Sequence, residues 1–271
     1  MITQKRFNWK VFLVIWLAAV FSVIAIIPYS LTLQAATLAK VKLPVPLEVL
    51  IPLQIAENAV IFAVIVAAGL FFAYRIGLGA PILEARFGRD PLASQTIGPQ
   101  VRAILVPSIV LGVSASLVII GLDSFVFAPA LKAQIGTGAT ANAATLGTQP
   151  PAWQGFLASF YGGIAEEAFM RLFLLSILVW LGKFVSHTAE GRPTLAVLWT
   201  ANLLVAILFG LGHLPATSLI LALTPLVIVR AVVLNGLAGL VLGYLYWTRG
   251  IESAMLSHFS ADLVLHVLFA L

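Results

Sequence analysis

Two adjacent glutamates and an arginine interrupt the apolar stretch YGGIAEEAFMRLFLL, residues 161–175. Ionised groups inside a membrane segment cost about 3 kcal/mol or more each, unless they are paired or face water. On a helix, Glu167 and Arg171 lie four residues apart and can form an ion pair. Glu166 lies about 100° further around the helix. The pattern predicts one glutamate held by the arginine and a second glutamate that faces a cavity.

Two later apolar stretches also contain ionisable residues. His213 ends the run FGLGHLP, and His258 and Asp262 lie four residues apart in HFSAD. A glutamate with two histidines can activate a water molecule and stabilise an oxyanion. Each residue alone is commonly structural in a helical bundle, and His266 is interpreted as a packing or interfacial residue. Because three such sites are present, we expect Glu166, His213 and His258 to converge on one cavity.

The composition is that of a polytopic membrane protein. Of the 271 residues, 61% are hydrophobic and only 9% are charged, against roughly 25% charged in soluble domains. The mean hydropathy is +1.09. The sequence has no cysteine, which excludes disulfides and thiolate metal sites. It also lacks the H-E-x-x-H, G-x-S-x-G and Walker motifs.

The hydrophobic runs predict an all-α transmembrane bundle with seven or eight spans. A span needs about 20 apolar residues. The run that follows Lys10 has this length and no small-residue cleavage site, so it is interpreted as a first span. The run at 216–248 is either one tilted helix or two short helices divided near Pro225 and Arg230. Predicted helices lie near 11–33, 55–76, 101–122, 153–181, 194–212, 216–248 and 252–271.

Charges in the predicted loops indicate the orientation. One group of loops contains seven basic residues, namely Lys5, Arg6, Lys10, Arg86, Arg89, Lys183 and Arg192. The opposite loops, 34–54 and 123–152, contain only Lys40, Lys42 and Lys132. The positive-inside rule therefore predicts a cytoplasmic N-terminus. The protein is expected in the plasma membrane. No soluble domain or repeat is visible, so residues 1–271 are predicted to form one integral-membrane domain.

Three motifs in order resemble the CPBP family of intramembrane endopeptidases, also called the Abi or CAAX-protease family. The family pattern is E-E-x-x-x-R, then F-x-x-x-H, then H-x-x-x-N or D. Here these motifs run from Glu166 to Arg171, from Phe209 to His213 and from His258 to Asp262. The resemblance covers about residues 153–265, which would form the catalytic core.

The resemblance implies a helical bundle with a conical intramembrane cavity, and a role for each motif residue. Glu166 would activate the attacking water with help from His213, and His258 and residue 262 would stabilise the oxyanion. Glu167 and Arg171 would support that geometry. Prenyl-processing relatives commonly have Asn at the position of Asp262. Since a carboxylate donates no hydrogen bond unless it is protonated, the aspartate could instead orient His258 or bind a metal.

Metal dependence is open at this level, because the family is described both as metalloproteases and as glutamate-dependent proteases. Glu166, His213 and His258 could supply three ligands to Zn²⁺ with one open position. Alternatively, Glu166 could act without metal as the general base, which is the mechanism we favour.

The function indicated is endopeptidase activity on a membrane-associated or lipidated peptide or protein in the lipid bilayer. A non-catalytic scaffold or immunity protein is the main alternative. A small-solute or proton transporter is a weaker one, since transporters favour internal repeats and none is visible. Nothing in the sequence indicates nucleic-acid binding.

Overall fold

The computed structural model describes residues 6–88, 92–136 and 150–269. Within these ranges the chain is helical and contains no β-strand. The α-helices are α1 (Trp9–Ala25), α2 (Ile27–Leu38), α3 (Leu47–Arg75), α4 (Pro81–Phe87), α5 (Ile97–Leu122), α6 (Ala128–Gly136), α7 (Ala152–Phe160), α8 (Ser176–Gly182), α9 (Leu195–Gly212), α10 (Leu214–Ser218), α11 (Pro225–Arg249) and α12 (Ile251–Asp262).

Five helical segments are long and apolar enough to cross a membrane. They are Trp9–Leu38, Leu47–Arg75, Ala93–Gln134, Leu195–Ser218 and Pro225–Arg249. The protein is therefore an integral membrane protein with an all-α fold. The two predicted spans outside this group, near 153–181 and 252–271, contain the ionisable residues of the first and third motifs, whereas His213 lies in Leu195–Ser218. The count of seven or eight spans stays a prediction.

The run predicted at 216–248 is neither one continuous helix nor two short ones, because residues 216–218 end the short helix α10 and one long helix, α11, begins at Pro225. Helix α11 is continuous over 25 residues. It begins at Pro225, since the first helical position needs no backbone N–H donor. Thr224 caps this end by accepting a hydrogen bond from the Val227 amide. Arg230 lies inside the helix and does not break it.

The segment after residue 122 was predicted to be an external loop, and this is wrong for residues 123–136. Helix α5 continues through a π-helical turn, Asp123–Phe127, into α6. A charge can occupy this position because Asp123 accepts two hydrogen bonds from Arg230, at 2.6 and 2.7 Å. The rest of the predicted loop, residues 137–149, lies outside the described residues, as does Arg89.

Several contacts bring the basic ends of the helices together at one end of the bundle. The Lys183 ammonium, after α8, donates to the Arg75 carbonyl at the end of α3. Arg249, at the end of α11, donates to the Ala103 carbonyl in α5. Asn8, before α1, donates to the Phe87 carbonyl at the end of α4. Of the basic residues that the sequence assigned to one face, Lys183 makes such a contact, and the common face of the whole set stays a prediction.

Close helix packing at small residues positions the motif helices. The main buried core joins α1, α3, α8, α9 and α11 with the start of α12. The backbone of α5 at Gly112 leaves no room for a side chain against Ser257 of α12. Gly239 of α11 similarly packs against Ala206 of α9 and the Arg171 guanidinium. Small residues of this kind let membrane helices approach closely.

Candidate active site

The E-E-x-x-x-R motif lies in a widened helix. Helix α7 passes into two π-helical segments, Tyr161–Glu166 and Ala168–Leu175, before α8 begins. A π-helical turn bonds residue i to i+5, is rare, and occurs frequently at functional sites. Periodicity in the sequence gave no sign of it.

The predicted ion pair between Glu167 and Arg171 is present and fully buried. Arg171 Nη1 donates to Glu167 Oε1 at 2.8 Å, and neither side chain has any exposed surface. Arg171 Nη2 donates to the Gly239 carbonyl at 3.2 Å. The guanidinium carbon also lies 4.7 Å from the centre of the Phe209 ring. The arginine therefore links the motif helix to α9 and α11.

His258 is the second partner of Glu167, a contact the sequence did not predict. Its Nδ1 lies 2.8 Å from Glu167 Oε1. An ionised carboxylate only accepts hydrogen bonds, so the hydrogen must lie on Nδ1. The other ring nitrogen, Nε2, faces Asp262 Oδ1 at 3.6 Å and Glu166 Oε2 at 3.8 Å. Glu167 thus fixes the orientation of the imidazole toward the other two carboxylates.

The two adjacent glutamates lie in different environments. The Glu167 side chain is completely buried, whereas a quarter of the Glu166 side chain is exposed. Among the described residues, the ion-pair contact of Glu166 is with His258 Nε2. Glu166 can therefore reach solvent or a ligand, and Glu167 cannot.

His213 lies beside this cluster. It caps the end of α9, and its Nδ1 lies 2.8 Å from the Phe209 carbonyl. In the described part of the chain it forms no ion pair with Glu166. The Phe209 ring contacts both imidazoles, with centroid distances of 4.7 Å to His213 and 5.7 Å to His258. The structure thus brings Glu166 and His258 together, with His213 linked to them through an aromatic ring.

Asp262 lies between two histidines. Besides His258, its Oδ1 lies 3.9 Å from His266 Nε2. The His266 ring packs edge-on against Tyr29 of α2, with centroids 5.9 Å apart. The packing role predicted for His266 is consistent with this contact, although the residue also reaches the site. The sequence indicated no role for Tyr29, Gly162 or Phe209. Their roles depend on residues that are distant in the sequence and close only in the folded structure.

The proposed zinc ligands do not fit a metal site. In the described part of the chain, no group of three or more His, Cys, Asp or Glu residues is arranged to hold a metal ion. Nδ1 of both His213 and His258 forms a hydrogen bond. Only Nε2 of each ring could therefore act as a metal ligand. No step is derived below through a metal.

Three cavities stand out within the described residues, and none is lined by Glu166, His213 or His258. The largest, of 550 Å³, lies between α1, α2 and the start of α3 and reaches Tyr161. Tyr161 begins the π-helical segment that ends at Glu166. The predicted cavity around the motif residues stays a prediction.

Residues 148–264 match the family model described as type II CAAX prenyl endopeptidase Rce1-like. The match includes all three motifs and nearly coincides with the core predicted at 153–265. This segment, a little under half of the chain, is therefore similar to the CAAX protease family, as the motifs predicted. A search of curated proteins and a search of solved structures found no match. The Rce1-like segment contains α7 to α12, while α1 to α6 precede it.

Proposed function

We propose that this protein is a CAAX-protease-like intramembrane endopeptidase that hydrolyses a peptide bond through water activated by Glu166. The observation that supports this most is the difference between the two glutamates. Glu167 is buried against Arg171 and His258, while Glu166 is partly exposed beside His258 Nε2. A general base needs access to water and substrate, and only Glu166 has it.

In the proposed reaction, the Glu166 carboxylate takes a proton from a water molecule. The resulting hydroxide attacks the carbonyl carbon of the scissile peptide bond and forms a tetrahedral oxyanion. When the C–N bond breaks, the protonated Glu166 returns its proton to the leaving amine. The products are a new amine and a new carboxylic acid, which releases its proton to solvent, and the Glu166 carboxylate is regenerated.

The surrounding side chains would stabilise and position the reacting groups. A protonated His258 would donate from Nε2 to the oxyanion, since Nδ1 already donates to Glu167. Asp262 as a carboxylate cannot donate, so it would orient His258. His213 would assist from the end of α9 through its free Nε2. Arg171 acts through Glu167 and is a positioning residue.

We propose a membrane-associated or lipidated peptide or protein as the substrate. The 550 Å³ cavity that reaches Tyr161 is lined only by uncharged side chains. Its polar groups are hydroxyls and amides, namely Ser30, Gln34, Gln54, Asn58 and Tyr161. Such a lining favours an apolar chain with backbone-like polar groups over a charged ligand.

We further propose that residues 1–271 form one integral-membrane domain with its catalytic core at 153–265. The N-terminus would lie in the cytoplasm and the protein in the plasma membrane. Support comes from the basic residues gathered at the end of the bundle where α1 begins, since basic loops remain cytoplasmic.

The function is tested by incubating the purified full-length protein with a library of plain and lipidated peptides, with and without a chelator. We expect cleavage of at least one of the two classes of peptide, at a rate that the chelator does not change. Glu57 is exposed on α3, so Glu57→Gln is a matched control that should retain activity. A protein that binds a peptide but never cleaves any member of the library would instead be a scaffold.

Gly162 gives a further prediction for this site. A Cβ at this position would overlap the Asp262 carboxylate and lie 3.0 Å from His258 Nε2. We expect Gly162→Ala to lower kcat/KM by about 10²-fold, because displacing catalytic groups by about 1 Å has effects of that size. The measurement is the initial rate of peptide cleavage.

Gly121→Ala is the control for that substitution. Gly121 lies in α5, and a Cβ there would have nothing within 4 Å. Its rate should equal that of the wild type. A Gly162→Ala protein as active as Gly121→Ala would show that the positions of His258 and Asp262 are unimportant for cleavage.

A further inference from the structure

A second cavity, of 390 Å³, lies at the basic end of the bundle. It opens where α3 and α11 end and α5 begins, and its wall includes Gln100, Ala103, Trp247 and Arg249. None of the motif residues lines it. Its volume lies within the range of small-molecule sites. The proposed peptidase mechanism assigns it no role.

An aromatic cluster indicates the level in the membrane at which this cavity lies. Trp247 contacts Trp199 and Tyr244, with centroids 5.0 and 5.7 Å apart. Trp199 and Tyr244 are exposed on the outer surface, at 47% and 42%. Tryptophan and tyrosine are enriched where membrane proteins meet lipid headgroups. Because Trp247 also lines the cavity, the cavity lies at headgroup level.

The charge at this cavity suits a phosphate. Arg249 donates one hydrogen bond, from Nη1 to the Ala103 carbonyl at 3.0 Å. Within the described residues no carboxylate forms an ion pair with Arg249, and its side chain is exposed. A guanidinium has five donors and binds phosphate well. Arg75, Arg102 and Lys183 lie at the same end of the bundle, and basic clefts of this type bind lipid headgroups.

Gln100 requires that a ligand of this cavity carry a hydrogen-bond donor. Its Nε2 donates to Thr96 Oγ1 at 2.9 Å. Among the described residues its Oε1 is buried without a hydrogen-bond partner, an arrangement that is unfavourable unless a ligand supplies a donor. Since Gln100 and Arg249 line the same cavity, a fitting ligand carries a phosphate together with an N–H or O–H group.

We propose that this cavity binds the headgroup of a membrane phospholipid that has a hydrogen-bond donor next to its phosphate. The phosphate would bind Arg249, and a glycerol hydroxyl or an ethanolamine N–H would donate to Gln100 Oε1. A choline headgroup has neither N–H nor O–H and could satisfy only Arg249. The site is independent of the proposed peptidase activity.

The test uses delipidated full-length protein in detergent and native mass spectrometry. Phosphatidylglycerol, phosphatidylethanolamine and phosphatidylcholine with identical acyl chains are titrated separately. We expect the first two lipids to bind about tenfold more tightly than phosphatidylcholine, as one added hydrogen bond to a buried acceptor implies. Gln100→Leu should abolish this difference. Arg249→Gln should weaken binding of all three lipids about tenfold, and Arg249→Lys should restore part of it.

Arg86→Gln is the matched control, since Arg86 lies in α4 at the same end of the bundle but does not line the cavity. It should bind the three lipids like the wild type. Equal binding of the three lipids by the wild type would overturn the proposal. An equal loss in Arg86→Gln and Arg249→Gln would also overturn it, because the attraction would then be diffuse. The proposal would also be overturned if inorganic phosphate, at the same concentration as the lipid, displaced the lipid.

Discussion

Replacing Glu166 by glutamine is expected to lower kcat for peptide cleavage by roughly 10²- to 10⁴-fold, the contribution typical of general acid–base catalysis. Glutamine keeps the size of the side chain but cannot take a proton from water. Because Glu166 is partly exposed and its contact with His258 Nε2 is long, at 3.8 Å, the variant should melt near the wild-type Tm. The measurements are initial cleavage rates and thermal unfolding in detergent.

Glu167→Gln distinguishes the two glutamates. Its carboxylate accepts hydrogen bonds from both Arg171 and His258, so neutralising it should lower stability as well as activity. Glu166→Asp, which withdraws the carboxylate by one methylene, should retain trace activity. If Glu166→Gln cleaves like the parent while a stably folded Glu167→Gln protein does not, the two roles are reversed.

Replacing Arg171 by leucine is expected to lower the free energy of unfolding by about 3–5 kcal/mol, the cost of breaking a buried ion pair from one side. Both partners of the pair are fully buried, so the Glu167 charge would have no solvent to compensate it. The Gly239 carbonyl would also lose its donor. The measurement is equilibrium or thermal unfolding in detergent.

The double variant Glu167→Gln, Arg171→Leu serves as the control, because it removes both charges of the pair. It should be more stable than Arg171→Leu alone, and the double-mutant cycle gives the coupling between the two residues. An Arg171→Leu protein as stable as the wild type would show that the ion pair contributes nothing to the fold.

The sequence predicted the features of the site that depend on local spacing. Glu167 and Arg171 pair because they lie four residues apart, a separation that brings side chains together on a helical face. His258 and Asp262 have the same spacing, and their side chains approach to 3.6 Å. The apolar runs likewise predicted the long helices, because about 20 apolar residues suffice to cross a bilayer.

The contacts between helices could not be predicted from one sequence. The hydrogen bond from His258 to Glu167 joins residues 91 positions apart, and no periodicity encodes it. The widened π-helical turns around Glu166 leave no mark in the hydrophobic pattern. The continuation of α5 past Asp123 depends on Arg230, 107 residues later. A loop was predicted from residue 123 onwards, whereas the helix continues there with Asp123 paired to Arg230.

The central claim is that Glu166 activates water for peptide hydrolysis, and cleavage in H₂¹⁸O tests it most directly. Purified wild-type and Glu166→Gln proteins are incubated in H₂¹⁸O with one peptide that the wild type cleaves. The masses of the products are measured by mass spectrometry. We expect the wild type to place one ¹⁸O in the new C-terminal carboxylate of the product. We expect almost no product from the Glu166→Gln protein. Equal amounts of labelled product from both proteins would contradict it.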